Sequence, residues 1–180
     1  MKLIAKIILI SIVIVSIVYG CTKFETFPIE PAIEYQDFVI LVNEESGISE
    51  RGVIKFTYTD GDGDLGLSSA DTLPPFDVDG DYYYNMIIRY FEQQNGEFVE
   101  VPLLVFNTET QTYDTSTFNS RFPVLTPNGG NLNIKGLFQD TLYIYNPLTE
   151  YDTIKFKVSI YDRALHQSNE IETPPIVIIK

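Results

Sequence analysis

The sequence predicts an all-β fold, an antiparallel two-sheet sandwich over residues 34–180, and three observations predict it. Apolar residues recur at every second position, as in Ile154-Lys155-Phe156-Lys157-Val158-Ser159-Ile160 and Ile54-Lys55-Phe56-Thr57-Tyr58. A period of two buries one face of a strand and wets the other. The candidate segments are rich in Ile, Val, Phe, Tyr and Thr, which suit a pleated surface. Between them stand turn formers, Ser46-Gly47, Asp60-Gly61, Asn95-Gly96 and Asn128-Gly129-Gly130, and no segment after residue 33 keeps helical spacing.

In chain order the expected strands cover residues 35–42, 54–58, 82–92, 98–106, 132–138, 142–145, 154–160 and 176–179. Residues 107–120, NTETQTYDTSTFNS, are polar and rich in Thr and Ser, and strands resume on both sides, so they read as a long hairpin insertion. Pro174-Pro175 before the last strand fit an edge or a strand entry, where a missing N–H costs little. Seven or eight short strands in about 150 residues fit two packed sheets, with a closed barrel as the alternative.

The 180 residues suit one domain, and 44% of them are hydrophobic, too many for a disordered chain. Twelve basic against 25 acidic side chains give a net charge of −13. That balance excludes nucleic acid as a partner, because phosphates need a basic face. A single cysteine excludes a disulfide framework and a Cys-rich zinc site, and a single histidine leaves little for imidazole catalysis.

The chain opens with Lys2 and Lys6, then runs IILISIVIVSIV over residues 7–18 and stops at Tyr19-Gly20-Cys21. A basic head, an apolar middle and a small residue before a boundary make a secretory signal over residues 1–20. The apolar run is shorter than the roughly 20 residues a membrane span needs. Val18-Tyr19-Gly20-Cys21 resembles the lipobox of bacterial lipoproteins, with Tyr19 bulkier than the usual residue. The resemblance implies cleavage before Cys21, a thioether to diacylglycerol on its sulfur, and an acylated amine. Several chains anchor stably, since each buried methylene contributes roughly 0.8 kcal/mol. Cleavage would remove two lysines and no acid, taking the net charge from −13 to −15. Such a surface does not adhere to anionic lipid by itself.

By the same resemblance, Thr22 rather than aspartate after the cysteine directs the protein to the outer membrane. The absence of an acidic run in Thr22-Lys23-Phe24-Glu25 favours the periplasmic face over the cell surface. Residues 21–33 are the lipidated cysteine and a short tether with Pro28 and Pro31. Extended at about 3.1 Å per residue, that tether reaches roughly 40 Å at most.

Two further segments carry a family likeness. Ile54-Lys55-Phe56-Thr57-Tyr58-Thr59-Asp60-Gly61-Asp62-Gly63-Asp64-Leu65-Gly66 resembles a strand and loop of Bacteroidota lipoproteins. Val158-Ser159-Ile160-Tyr161-Asp162-Arg163-Ala164-Leu165-His166-Gln167-Ser168-Asn169 is similar to the D-R-A-G-N-x-S-N ending of bacterial immunoglobulin-like domains, with Leu165-His166 in place of Gly-Asn. The likeness covers most of residues 34–180 and implies an immunoglobulin-like sandwich in the cell envelope. It brings no activity with it.

Six carboxylates fall in two loops, Asp60, Asp62 and Asp64 in the first and Asp77, Asp79 and Asp81 in the second. Calcium takes six to eight hard oxygen ligands, and alternating Asp on a Gly-containing loop turns several carboxylates inward. The pattern departs from an EF-hand, with Leu65 at the sixth position and Asp71 at the twelfth. Asp60, Asp62 and Asp64, joined by Asp162, are the expected calcium ligands, against the plainer reading of Asp-Gly as hairpin turns. Tyr82, Tyr83 and Tyr84 form a candidate binding platform for protein or sugar, against core packing. His166 sits in a polar turn without an identifiable nucleophile and reads as a surface residue.

The expected function is a lipid-anchored, non-catalytic accessory module with an envelope or outer-membrane protein as partner. A glycan-binding lipoprotein of a polysaccharide uptake system is the second reading, and a carboxylate-dependent hydrolase the third.

Overall fold

The computed structural model describes residues 25–126 and 132–180. The signal sequence and Cys21, and the Asn128-Gly129-Gly130 turn, lie outside the described residues. The strands are β1 (Ala32–Val42), β2 (Ser49–Asp60), β3 (Met86–Gln94), β4 (Glu97–Glu100), β5 (Leu103–Asn107), β6 (Thr112–Ser116), β7 (Ile134–Tyr143), β8 (Thr153–Ile160), β9 (Ile171–Glu172) and β10 (Ile176–Val177). One sheet runs β1-β2-β7 and the other β10-β8-β3-β4, with β9 also on β8. All of these pairings are antiparallel, and both sheets are open rather than closed into a barrel.

The alternating residues of β2 and β8 meet in the core. Ile54 and Phe56 come from one sheet, and Ile154, Phe156 and Val158 from the other, all of them buried. Phe38 of β1 stacks on Phe156 of β8 with ring centres 5.6 Å apart, and Phe122 lies 4.4 Å from Phe138 of β7. Each buried aromatic removes a large apolar area from water, which holds the two layers together. A hairpin is present but is shifted from the expected 107–120: β5 pairs with β6 over residues 103–116, so its first strand comes from residues expected to continue the strand 98–106. Asn95 and Gly96, with φ of 54° and 91°, make the two-residue turn from β3 to β4, where both central residues need left-handed backbone.

Four expected strands differ. Tyr82, Tyr83 and Tyr84 precede the strand, which starts at Met86. Hydrogen bonds with the carbonyls of Pro75, Gly80 and Tyr83 fold that stretch into turns instead. The segment 98–106 divides at Pro102, which has no N–H to continue the ladder, so β4 stays on β3 while β5 leaves with β6. The segments 132–138 and 142–145 give one strand, Ile134–Tyr143, because β2 offers an unbroken partner from Arg51 to Asp60.

The register gathers strand termini at one end. Ala32 lies beside Thr59, Asp60 beside Ile134 and Met86 beside Ile160, so three strand starts and two strand ends gather at one end of both sheets. The N-terminal segment is laid against this end. Phe27 N–H donates to Asn133 Oδ1 at 2.8 Å, Glu25 pairs with Lys135, and the backbone of Phe27 and Pro28 lies so close to Gly61 that no Cβ fits there. The C-terminus is at the far end, where Lys180 Nζ donates to the carbonyls of Asn146 and Thr149.

Candidate metal centre

Asp60 ends β2, and Gly61-Asp62-Gly63-Asp64 turn the chain back across the end of the sandwich. Gly63 and Gly66 have φ of 72° and 105°, conformations that glycine reaches without a Cβ penalty. Leu65 and Leu67 are buried and pin the loop to the core, and Leu65 makes an antiparallel bridge with Asp162 just past β8. These apolar anchors hold the chain that follows Asp60, Asp62 and Asp64 against the core.

Asp60, Asp64 and Asp162 each offer a carboxylate oxygen within 4.8 Å of the others. Asp60 Oδ2 accepts from Leu65 N–H at 3.1 Å, and Asp64 Oδ2 from Ala164 N–H at 3.0 Å. Asp162 accepts from His166 N–H at 2.7 Å and lies 2.8 Å from His166 Nδ1. What these bonds leave over is informative: Oδ1 of Asp60, of Asp62 and of Asp64 is buried without any hydrogen-bond partner. Asp60 and Asp162 are fully buried.

Buried polar atoms normally find partners, and leaving one unpaired costs about 1–3 kcal/mol, more when it is charged. Burial, then Asp62 and Asp64, pushes the Asp60 carboxyl up to about 6. Burial and Asp162 push Asp64 up as well. A divalent cation among these oxygens would replace the lost hydration and cancel the mutual repulsion. The donors are all oxygens, which suits calcium, with the shell completed by carbonyls and water. His166 on Asp162 is the kind of outer partner that holds a ligating carboxylate in orientation.

Three of the four expected ligands, Asp60, Asp64 and Asp162, are thus brought together; Asp62 stands outside that group, with its Oδ1 buried and without a hydrogen-bond partner. The second acidic loop does not join them. Asp79 and Asp81 are exposed, and the Asp77 carbonyl closes a turn with Gly80 N–H at 2.9 Å. Tyr82, Tyr83 and Tyr84 are half-buried on the loop before β3. Tyr82 packs edge-on against Tyr161, Tyr83 against Tyr84, and the Arg121 guanidinium lies 4.5 Å from the Tyr83 ring centre, so much of their ring surface is occupied.

Two arginines outside the expected set organise this end. Arg121 donates to the carbonyls of Ser68, Asp71, Phe76 and Tyr83 at 2.5–3.1 Å, holding a long irregular loop from its centre. Arg163 pairs with Asp71 through both terminal nitrogens and donates to the Gly66 carbonyl. That guanidinium holds the Asp71 carboxyl well below the usual carboxylate range. Arg163 was visible in the D-R-A segment, whereas no local pattern marks Arg121. Comparisons with protein-family models, curated proteins and solved structures find no match to this chain.

Proposed function

We propose that this chain is a calcium-binding, non-catalytic interaction module carried on a lipid anchor at Cys21. Its domain would be an immunoglobulin-like sandwich held at the outer membrane, with the periplasmic face favoured and an envelope protein as partner. The observation that carries the metal reading is the set of three buried carboxylate oxygens without partners, on Asp60, Asp62 and Asp64. The immunoglobulin-like reading draws support from the D-R-A turn. Leu165, standing where those domains have glycine, adopts a glycine-like φ of 70°. The anchor reading rests on Val18-Tyr19-Gly20-Cys21.

A structural role for calcium fits a surface module better than catalysis does. The acids of the centre face one another, and Asp71, beside the cleft at Phe76 and Tyr83, is committed to Arg163 and Ser68. Calorimetric titration with calcium is the test. Measurable heat and a raised melting temperature, both abolished by Asp64→Asn, are expected. No heat at millimolar calcium overturns the metal reading. Mild-detergent recovery of the anchored protein with one defined partner tests the module, and recovery of the lipoprotein alone counts against it.

A further inference from the structure

We infer that the end of the sandwich bearing the loop between β2 and β3 docks on the bilayer that holds the anchor, with Leu73 and Val78 entering the boundary between headgroups and acyl chains. This rests on the proposed acylation of Cys21. Two independent features of the molecule point to that surface and occupant.

The first is chain length. Three residues separate Cys21 from Glu25, and four steps of a fully extended chain at about 3.6 Å each span at most roughly 14 Å between the anchor and the domain. From Glu25 onward the chain is held down, by Lys135, by Asn133 and against Gly61. The anchored end is therefore the end where β2 finishes and β3, β7 and β1 begin. A domain held this closely cannot turn its far end, with Lys180 on Asn146 and Thr149, to the same surface.

The second is what that end displays. Leu73 and Val78 are 76% and 72% exposed, the highest values among the exposed large apolar side chains of the described residues. Leu132 at 63% and Ile29 at 50% belong to the same end. Val177, Leu148 and Ile179 are exposed at the far end as well, at 63%, 58% and 56%, so exposure alone does not choose the surface. The tether chooses it, and Leu73 and Val78 are the most exposed apolar side chains of the loop that leaves the end it holds. Around them stand Asp77, Asp79 and Asp81. Carboxylates are repelled by anionic lipid and attracted to ammonium groups, so the complementary surface is one rich in zwitterionic, ethanolamine-type headgroups.

The test uses the full acylated chain in vesicles of phosphatidylcholine and phosphatidylethanolamine containing brominated lipid. An environment-sensitive fluorophore is placed through Leu73→Cys, Val78→Cys or, at the far end, Leu148→Cys. Strong quenching at 73 and 78 with none at 148 is expected, weakening as phosphatidylglycerol replaces phosphatidylethanolamine. Labels at 73 and 78 as exposed to water as the label at 148 overturn the docking. Mass spectrometry of the mature chain reports acylation separately. Were Cys21 a free thiol, the anchor reading would fall, and the unacylated chain added to the same vesicles would decide the docking by the same pattern of quenching.

Discussion

His166 Nδ1 lies 2.8 Å from Asp162 Oδ2, a contact between the only imidazole of the chain and a fully buried carboxylate. The hydrogen bond and charge of Asp162 raise the His166 pKa above its ordinary 6.5. A histidine raised on folding contributes stability below about pH 6.5, and that contribution fades as pH climbs through the folded value. A cation on Asp162 would withdraw the charge that raises it. Proton NMR of the single imidazole should therefore give a pKa above 6.5 without metal and a lower one in saturating calcium. An unchanged value in calcium places the ion away from Asp162.

Asp60 makes a prediction of unusual sign. Its carboxyl is pushed up to about 6 from an unfolded value near 3.8, so between those values the folded chain binds more protons than the unfolded one. Stability of the metal-free protein therefore falls as pH rises through that window, by up to about 3 kcal/mol for this group. Asp60→Asn keeps an oxygen for Leu65 N–H and removes the charge. It should raise the metal-free melting temperature at pH 7 and abolish the rise caused by calcium. A purely structural aspartate would give the reverse, with melting lowered and calcium without effect in either protein.

The strands and the aspartates of 60–64 are legible for one reason, and the rest of the chain between β2 and β3 is illegible for another. Ile54-Lys55-Phe56 and Ile154-Lys155-Phe156 carry their burial pattern in their own sequence, since alternation is local. Asp60, Asp62 and Asp64 stand within five residues, and Asp162 stands in the turn that directly follows the alternating strand ending at Ile160. Tyr82-Tyr83-Tyr84 look like strand because aromatics favour strands. Their conformation is set by Arg121, distant in sequence, whose four carbonyl contacts no local pattern announces. The split at Pro102 is the intermediate case, a local signal that the apolar run around it obscured.

Among the described residues, Leu165 is the one half-buried aliphatic residue of the three non-glycine residues with positive φ, at 70°. Left-handed backbone costs a residue with a Cβ about 1–2 kcal/mol, and glycine's extra freedom when unfolded returns about 0.5–1 kcal/mol of that. Leu165→Gly should stabilise the fold by roughly 0.5 kcal/mol, seen as a higher denaturant midpoint at an unchanged slope. A loss above about 1 kcal/mol would mean that packing of the leucine outweighs the strain.

Arg121 is the residue on which the loop should depend most. Its guanidinium serves the carbonyls of Ser68, Asp71, Phe76 and Tyr83, and Phe122, its neighbour, is fully buried against Phe138. A lysine presents three donors from a single point and cannot span four carbonyls, so Arg121→Lys should fail as a replacement. With hydrogen bonds to charged groups at about 1.5–3 kcal/mol each and much of that returned by water, Arg121→Ala should cost about 3 kcal/mol. The loss should be local at first. Protease cleavage within residues 66–85 should speed up while β2, β3 and β8 stay protected in hydrogen exchange. Uniform loss of protection across both sheets would show instead that this arginine supports the whole sandwich rather than the loop it spans.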